Sequence, residues 1–135
     1  MKSQLISDYP GGRVHMIGIG GSSMSGLAEM LIDRGYQVSG SDRDETYLVH
    51  FVREKGAKVM IGHRPENVHD ADIVVYSAAI SPENPERQEA KKLGIPSIER
   101  AVLLGQLMQG FPLSVAVCGA HGKTTVTSML SQILL

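Results

Sequence analysis

Short apolar runs alternate with stripes of apolar residues at helical spacing, and this alternation constrains the fold more than any other feature of the sequence. Val14 to Ile19 is a compact apolar run, followed by a helical stripe of Met24, Leu27, Ala28, Leu31 and Ile32 that stops at Gly35. Tyr36 to Ser41 reads as a second strand, and Tyr47, Leu48, Phe51 and Val52 mark a helix closed by Gly56. Lys58 to Ile61 is a short third strand. Asp72 to Ser77 (DIVVYS) gives the clearest strand signal, continuous and β-branched, as expected of a strand buried on both faces. Asn84 and Pro85 then supply a capping side chain and a preset φ for a helix that runs to Leu93 and ends at Gly94. Ile95 to Ile98 is a fifth strand, and Val102, Leu103, Leu104, Leu107 and Met108 lie on a last helix of this unit. Strand and helix in alternation imply an α/β fold, a Rossmann-like parallel sheet of about five strands with flanking helices.

Residues 1–12 read as a flexible leader ending in the turn Pro10-Gly11-Gly12, and residues 13–108 as one domain. Residues 109–113 read as a linker. Ser114 to Val117 then restarts as a strand, and Val126, Met129, Leu130, Ile133 and Leu134 form another helical stripe. Residues 114–135 are therefore expected to be the first βα unit of a second domain whose remainder is missing. Without that domain, the last helix is expected to be disordered, to fold back, or to pair with another chain.

Two glycine loops carry the chemistry. The first, GIGGSSMSGLA (Gly18 to Ala28), joins the first strand to the first helix. Glycines let backbone N–H groups approach an anion, and the helix N-terminus adds unpaired donors and a partial positive charge. A diphosphate suits that arrangement, although the same glycines also suit a bare tight turn. The dinucleotide fingerprint asks for Gly at its sixth position, where this chain has Ser23. Asp42, at the end of the second strand, sits where an acidic residue meets a ribose hydroxyl.

The second loop, VCGAHGKTT (Val117 to Thr125), fits G-x-x-x-x-G-K-[ST] except for Val117 in place of the first Gly. In such a loop Lys123 neutralises nucleotide phosphates and Thr124 holds Mg²⁺. The competing reading is a glycine-rich turn with a solvated lysine. His121 is expected to have a structural part in the loop. Cys118, the single cysteine, reads as a small buried residue, because no base is paired with it in the sequence.

Composition narrows the partners. A net charge of −1 lacks the basic excess of a nucleic-acid or anionic-membrane binder, and 4% aromatic residues with no Trp leave no stacking platform for single strands. The lone cysteine, with no signal peptide and no apolar run near the roughly 20 residues of a membrane span, points to the cytoplasm.

The order HMIGIGGSSMSGLA, SGSD (Ser39 to Asp42), VVYSAAI (Val74 to Ile80), ENPE (Glu83 to Glu86) and GAHGKTT resembles the Mur ligases, the ATP-dependent amide-forming ligases of peptidoglycan synthesis. The resemblance runs from about residue 13 to the end. It implies a first domain that binds a UDP-sugar, a central ATPase domain and a C-terminal domain, of which this chain matches the first and the opening of the second. It is nearest to the members that join L-alanine to UDP-N-acetylmuramate, in which ATP activates the carboxylate as an acyl phosphate and the amine then attacks.

The resemblance makes the first loop a grip for a UDP diphosphate rather than NAD. It implies phosphate contacts from Gly20, Gly21, Ser22, Ser23 and Met24, with Ser41, Asp42, Ser77 and Ala78 around the nucleotide. His63 is left open between a nucleotide contact and a solvated loop histidine. For ATP it implies Gly119, His121, Gly122, Lys123, Thr124 and Thr125, with Mg²⁺ held through Thr124. Two departures stand out: Ser23 where the family usually has Gly, and Ala120 where it usually has Thr. No catalytic residue is expected within this piece. Two alternatives stand beside this reading: a free-standing NAD-type module, and the related ligase that attaches a recycled murein tripeptide.

Overall fold

The structure, a computed structural model, describes residues 2–109. Five strands, β1 (Arg13–Ile17), β2 (Gln37–Asp42), β3 (Lys58–Ile61), β4 (Ile73–Tyr76) and β5 (Ser97–Glu99), form one sheet in the order β3-β2-β1-β4-β5. Every pairing is parallel, as the alternation of strands and helices requires. Four helices connect or follow them: α1 (Ser22–Asp33), α2 (Tyr47–Lys55), α3 (Pro85–Leu93) and α4 (Arg100–Met108).

The helix ends obey local chemistry. Thr46 accepts from Val49 N at the start of α2, and Asn84 accepts from Glu86 N at the start of α3. Gly56 and Gly94, both left-handed, end these two helices as the sequence reading expects.

Strand alternation sorts the core into two layers. Val14, Met16, Val38, Ile73 and Val75 face α1, α2 and α4, where they meet Leu27, Leu31, Val49, Val52, Leu103 and Leu107. Ile17 and Val74 face the other side, packing with Ala90 of α3 and with Val68 in a 3₁₀ turn at Pro65–Val68.

Two readings need correction. Residues 2–12 do not stand off the domain as a flexible leader. Ile6 is buried in the main core, its N–H donates to Gln106 Oε1 at 2.8 Å, and its carbonyl accepts from the Tyr36 hydroxyl. The first strand also ends earlier than its apolar run. Gly18 leaves the sheet, and Ile19 turns into the core over Gly40, where a Cβ on Gly40 would come within 2.6 Å of Ile19. The expected linker beyond residue 109, strand 114–117, Cys118 and the final helical stripe lie outside the described residues.

Candidate functional site

Register brings the site residues to one edge. Ile17 pairs with Ser41 on one side and Tyr76 on the other, Asp42 pairs with Ile61, and Tyr76 pairs with Glu99. The residues that follow these positions therefore leave the sheet together at its carboxyl edge: the glycine loop, His63, Ser77 with Ala78, and Arg100. The connection from β1 passes to β2 while β4 lies on the other flank, so the strand order reverses between β1 and β4. Open parallel sheets bind ligands outside such a reversal.

The glycine loop is braced from below. Gly18 N and Ile19 N both donate to the Ser41 carbonyl, at 2.8 and 3.0 Å, and Gly21 N donates to the Gly18 carbonyl. Gly20 N donates to Asp42 Oδ2 at 2.8 Å. Only glycine fits at position 20, because an added Cβ would lie 2.7 Å from Asp42 Oδ2 and 2.9 Å from Val49 Cγ2. Asp42 thus holds the loop down, and its other oxygen accepts from Arg43 N.

With the loop so fixed, α1 starts at Ser22, and its first intrahelical bond is Ser25 N to the Gly21 carbonyl. Among the described residues, nothing accepts from the N–H groups of Ser22, Ser23 and Met24. Those donors and the helix dipole converge on the space above the loop. The Met24 side chain itself belongs to the core, 2% exposed, so only its backbone serves the edge. Across the reversal, Ser77 opens a turn closed by Ile80 N to the Ser77 carbonyl, and Ile80 packs against Gly18. Ser77 and Ala78 follow β4, which pairs with β1, and so lie at the same sheet edge as the glycine loop.

Ser41 has a different place from the one its motif implies. It is fully buried, and its hydroxyl donates inward to Glu86 Oε1 at 2.8 Å rather than standing in the crevice. Glu86, on the first turn of α3, is also fully buried and is the centre of a polar cluster that sequence reading missed. Its Oε1 also accepts from His15 Nε2 at 2.6 Å, and its Oε2 accepts from Asn67 Nδ2 at 2.8 Å and Arg64 N at 3.1 Å. The other nitrogen of His15 meets Ser39 Oγ at 2.9 Å. Burial alone pushes the Glu86 carboxyl up; the hydrogen bonds from His15 and Asn67, the charge of His15 and the bond from Ser41 together outweigh it and hold the carboxyl below its ordinary value. His63 joins at the rim, with Nδ1 3.1 Å from Ser41 Oγ and 3.4 Å from Glu86 Oε2, and with its side chain 21% exposed. It is not a solvated loop histidine.

The exposed hydroxyl of Ser23 accepts from Arg100 Nη1 at 3.1 Å. A glycine at position 23 would lack that contact. Arg100 was not foreseen, yet it follows β5 as Ser77 follows β4, and that position at the carboxyl edge is the signal that locates it. Elsewhere, a cavity of about 610 Å³ opens at the opposite edge between Arg13, Gln37, Lys58 and Asp70. It mixes both signs of charge, Arg13 and Lys58 with Glu66 and Asp70, so the carboxyl edge is the better anion site. Gly119, His121, Gly122, Lys123, Thr124 and Thr125 lie outside the described residues.

Residues 13–112 match the Mur ligase family, catalytic domain. The chain is 56% identical over 122 residues to the UDP-N-acetylmuramate–L-alanine ligase of Acetivibrio thermocellus, covering 90% of this chain and 26% of that protein. Among solved structures it is similar to the UDP-N-acetylmuramate–alanine ligase of Thermotoga maritima, with TM-score 0.70 and 31% identity, over 91% of this chain and 29% of that one. A murein peptide ligase from Psychrobacter arcticus has the same TM-score, 0.70, at 26% identity, over 91% of this chain and 26% of that one. The chain spans about a quarter of the length of the relatives it matches.

Proposed function

The chain belongs to the Mur ligase family, and we propose that residues 13–108 bind UDP-N-acetylmuramate for an ATP-dependent ligase that joins it to L-alanine. One observation carries the reading. Three unpaired N–H groups at the start of α1 sit over a glycine loop held in place by Asp42, at the edge where the strand order reverses. A diphosphate accepts hydrogen bonds from such a cluster and gains from the helix dipole. Arg100, tied to Ser23, adds a cation beside it. Ser22, Ser23 and the Met24 backbone donate to the phosphates in this reading; Gly20 and Gly21, whose N–H groups are committed to Asp42 and the Gly18 carbonyl, only allow the close approach, with Ser77 and Ala78 at the same edge.

The remaining roles are divided by burial. Asp42 and Ser41 act beneath the ligand, as braces, and His63 reaches it from the end of β3. ATP, when bound, activates the substrate carboxylate; the residues proposed for it, Gly119 to Thr125 with Thr124 on Mg²⁺, belong to the unit after the linker. The group that chooses the amine is outside residues 13–108, so this domain is a handle for the nucleotide. L-alanine is preferred over a tripeptide as the amine because the alanine ligases are the nearer relatives, at 56% and 31% identity against 26%.

An NAD-type module is the second reading, and the family match over residues 13–112 disfavours it. Asp42 accepts from Gly20 N and Arg43 N and so braces the loop under either reading. Calorimetric titration of the chain with UDP-N-acetylmuramate, UDP and NADH separates the two. Binding of both uridine ligands without NADH is expected; NADH binding without UDP overturns the proposal.

A further inference from the structure

Glu86 cannot touch a ligand, because it is fully buried and each of its oxygens is occupied from within the domain. Its proton accounting nevertheless reaches the surface. An ionised carboxylate only accepts, so the single proton of the Ser41 hydroxyl is committed to Glu86 Oε1. The Ser41 oxygen is then left as an acceptor toward His63 Nδ1, 3.1 Å away. A hydrogen bond there requires the proton on Nδ1, and Glu86 Oε2, 3.4 Å from the same nitrogen, favours it further. A neutral His63 ring held this way has Nε2 bare. The ring is partly exposed, and it stands at the end of β3, two strands from the glycine loop. Adjacent strands lie about 4.8 Å apart, so the end of β3 is about 10 Å across the sheet from the end of β1, the reach of a nucleoside whose phosphates lie on α1, and the His63 ring leans over β2 between them.

We propose that Glu86 is a positioning residue. Acting through Ser41, it fixes the His63 proton on Nδ1 and so presents Nε2 as an acceptor to a hydrogen-bond donor on the nucleoside. The inference rests on the UDP reading for its ligand but not for its proton placement.

Substitution of Glu86 by Gln gives a specific reversal. The Gln oxygen must face Arg64 N and Asn67 Nδ2, because a backbone N–H cannot become an acceptor. Its NH₂ then faces His15 Nε2 and Ser41 Oγ. Ser41 accepts from it, turns its own proton toward His63 Nδ1, and drives the ring proton to Nε2. The nitrogen offered to the ligand changes from acceptor to donor.

The test is long-range ¹H–¹⁵N correlation of the histidine rings at a pH where they are neutral, in the 135-residue chain, combined with UDP titration. In the wild type, the His63 proton is expected on Nδ1, and UDP should shift the Nε2 resonance. In Glu86→Gln the proton should move to Nε2, and UDP affinity should fall about tenfold, the value of one such hydrogen bond. A wild-type proton on Nε2 overturns the inference, as does a loss of affinity in Glu86→Gln with the tautomer unchanged, or a changed tautomer with unchanged affinity. If the variant does not fold, the wild-type tautomer and the UDP-induced Nε2 shift decide alone. Wild-type protein that binds no UDP but carries the proton on Nδ1 refutes the UDP reading and the ligand half of this inference, and leaves the proton relay standing.

Discussion

Replacing Gly20 by Ala tests whether the glycine loop is held by close packing or merely tolerates it. The new Cβ would lie 2.7 Å from Asp42 Oδ2 and 2.9 Å from Val49 Cγ2, both too close for a carbon atom. The loop has two ways out. It can lift, which breaks the 2.8 Å bond from Gly20 N to the Asp42 carboxylate, or it can stay and push Val49, which is fully buried. Loss of a hydrogen bond to a charged group costs about 1.5–3 kcal/mol. Overpacking a tight core costs about 1–3 kcal/mol. Either route therefore destabilises by about 2 kcal/mol. At roughly 4–8 °C per kcal/mol for a domain of this size, the melting temperature should fall on the order of 10 °C. Gly21 is the internal control. Its φ is −67°, and a Cβ there meets the Gly18 carbonyl at 3.5 Å and Met24 at 3.9 Å, which are ordinary contacts. Gly21→Ala should change stability by less than about 1 kcal/mol. Thermal melts followed by circular dichroism, on the two variants side by side, give the comparison. A Gly20→Ala protein that melts with the wild type, or two variants that fall equally, would refute the packing argument.

The Glu86 cluster predicts a pH signature. Its carboxyl is held below the ordinary value in the folded state, so its contribution to stability is complete above the unfolded glutamate value of about 4.3 and is lost as pH falls below it. Denaturant midpoints measured down through that range should drop in the wild type and drop less steeply in Glu86→Gln, which has no proton to take up; equal slopes would remove Glu86 from the acid response. Arg100→Ala should lower UDP affinity several-fold and weaken its salt dependence while moving stability by less than about 1 kcal/mol, because its bond to Ser23 is exposed. Unchanged UDP affinity in that variant would exclude Arg100 from the phosphate site.

The sheet was legible because strands buried on both faces must be continuously apolar, as in DIVVYS, and because caps such as Asn84-Pro85 and Gly94 act locally. Ile19 misled the reading of the first strand, since an apolar residue after Gly18 extends a run just as well when it plugs the core over Gly40. Ile6 misled it in the other direction: a single apolar residue in a polar segment has no period, and only the tertiary fold shows that it is buried. At the site, the loop and its neighbours were legible from their places at strand ends. Glu86 was not, because ENPE reads as a helix start, and what buries its carboxylate comes from β1, β2 and the turn after β3. A faint signal existed. His15, Ser39 and Ser41 are polar residues at alternate positions of strands that should be apolar on both faces, and such a row calls for a polar partner from the covering layer.

Mapping UDP onto the backbone amides tests the central claim most directly. In ¹H–¹⁵N spectra of the chain titrated with UDP, the account predicts shifts concentrated at Gly20 to Met24, with smaller ones at Asp42, His63, Ser77, Ala78 and Arg100, and no such pattern with NADH. Shifts gathered instead at the opposite edge, around Arg13, Gln37 and Lys58, or a response to NADH but not to UDP, would contradict it.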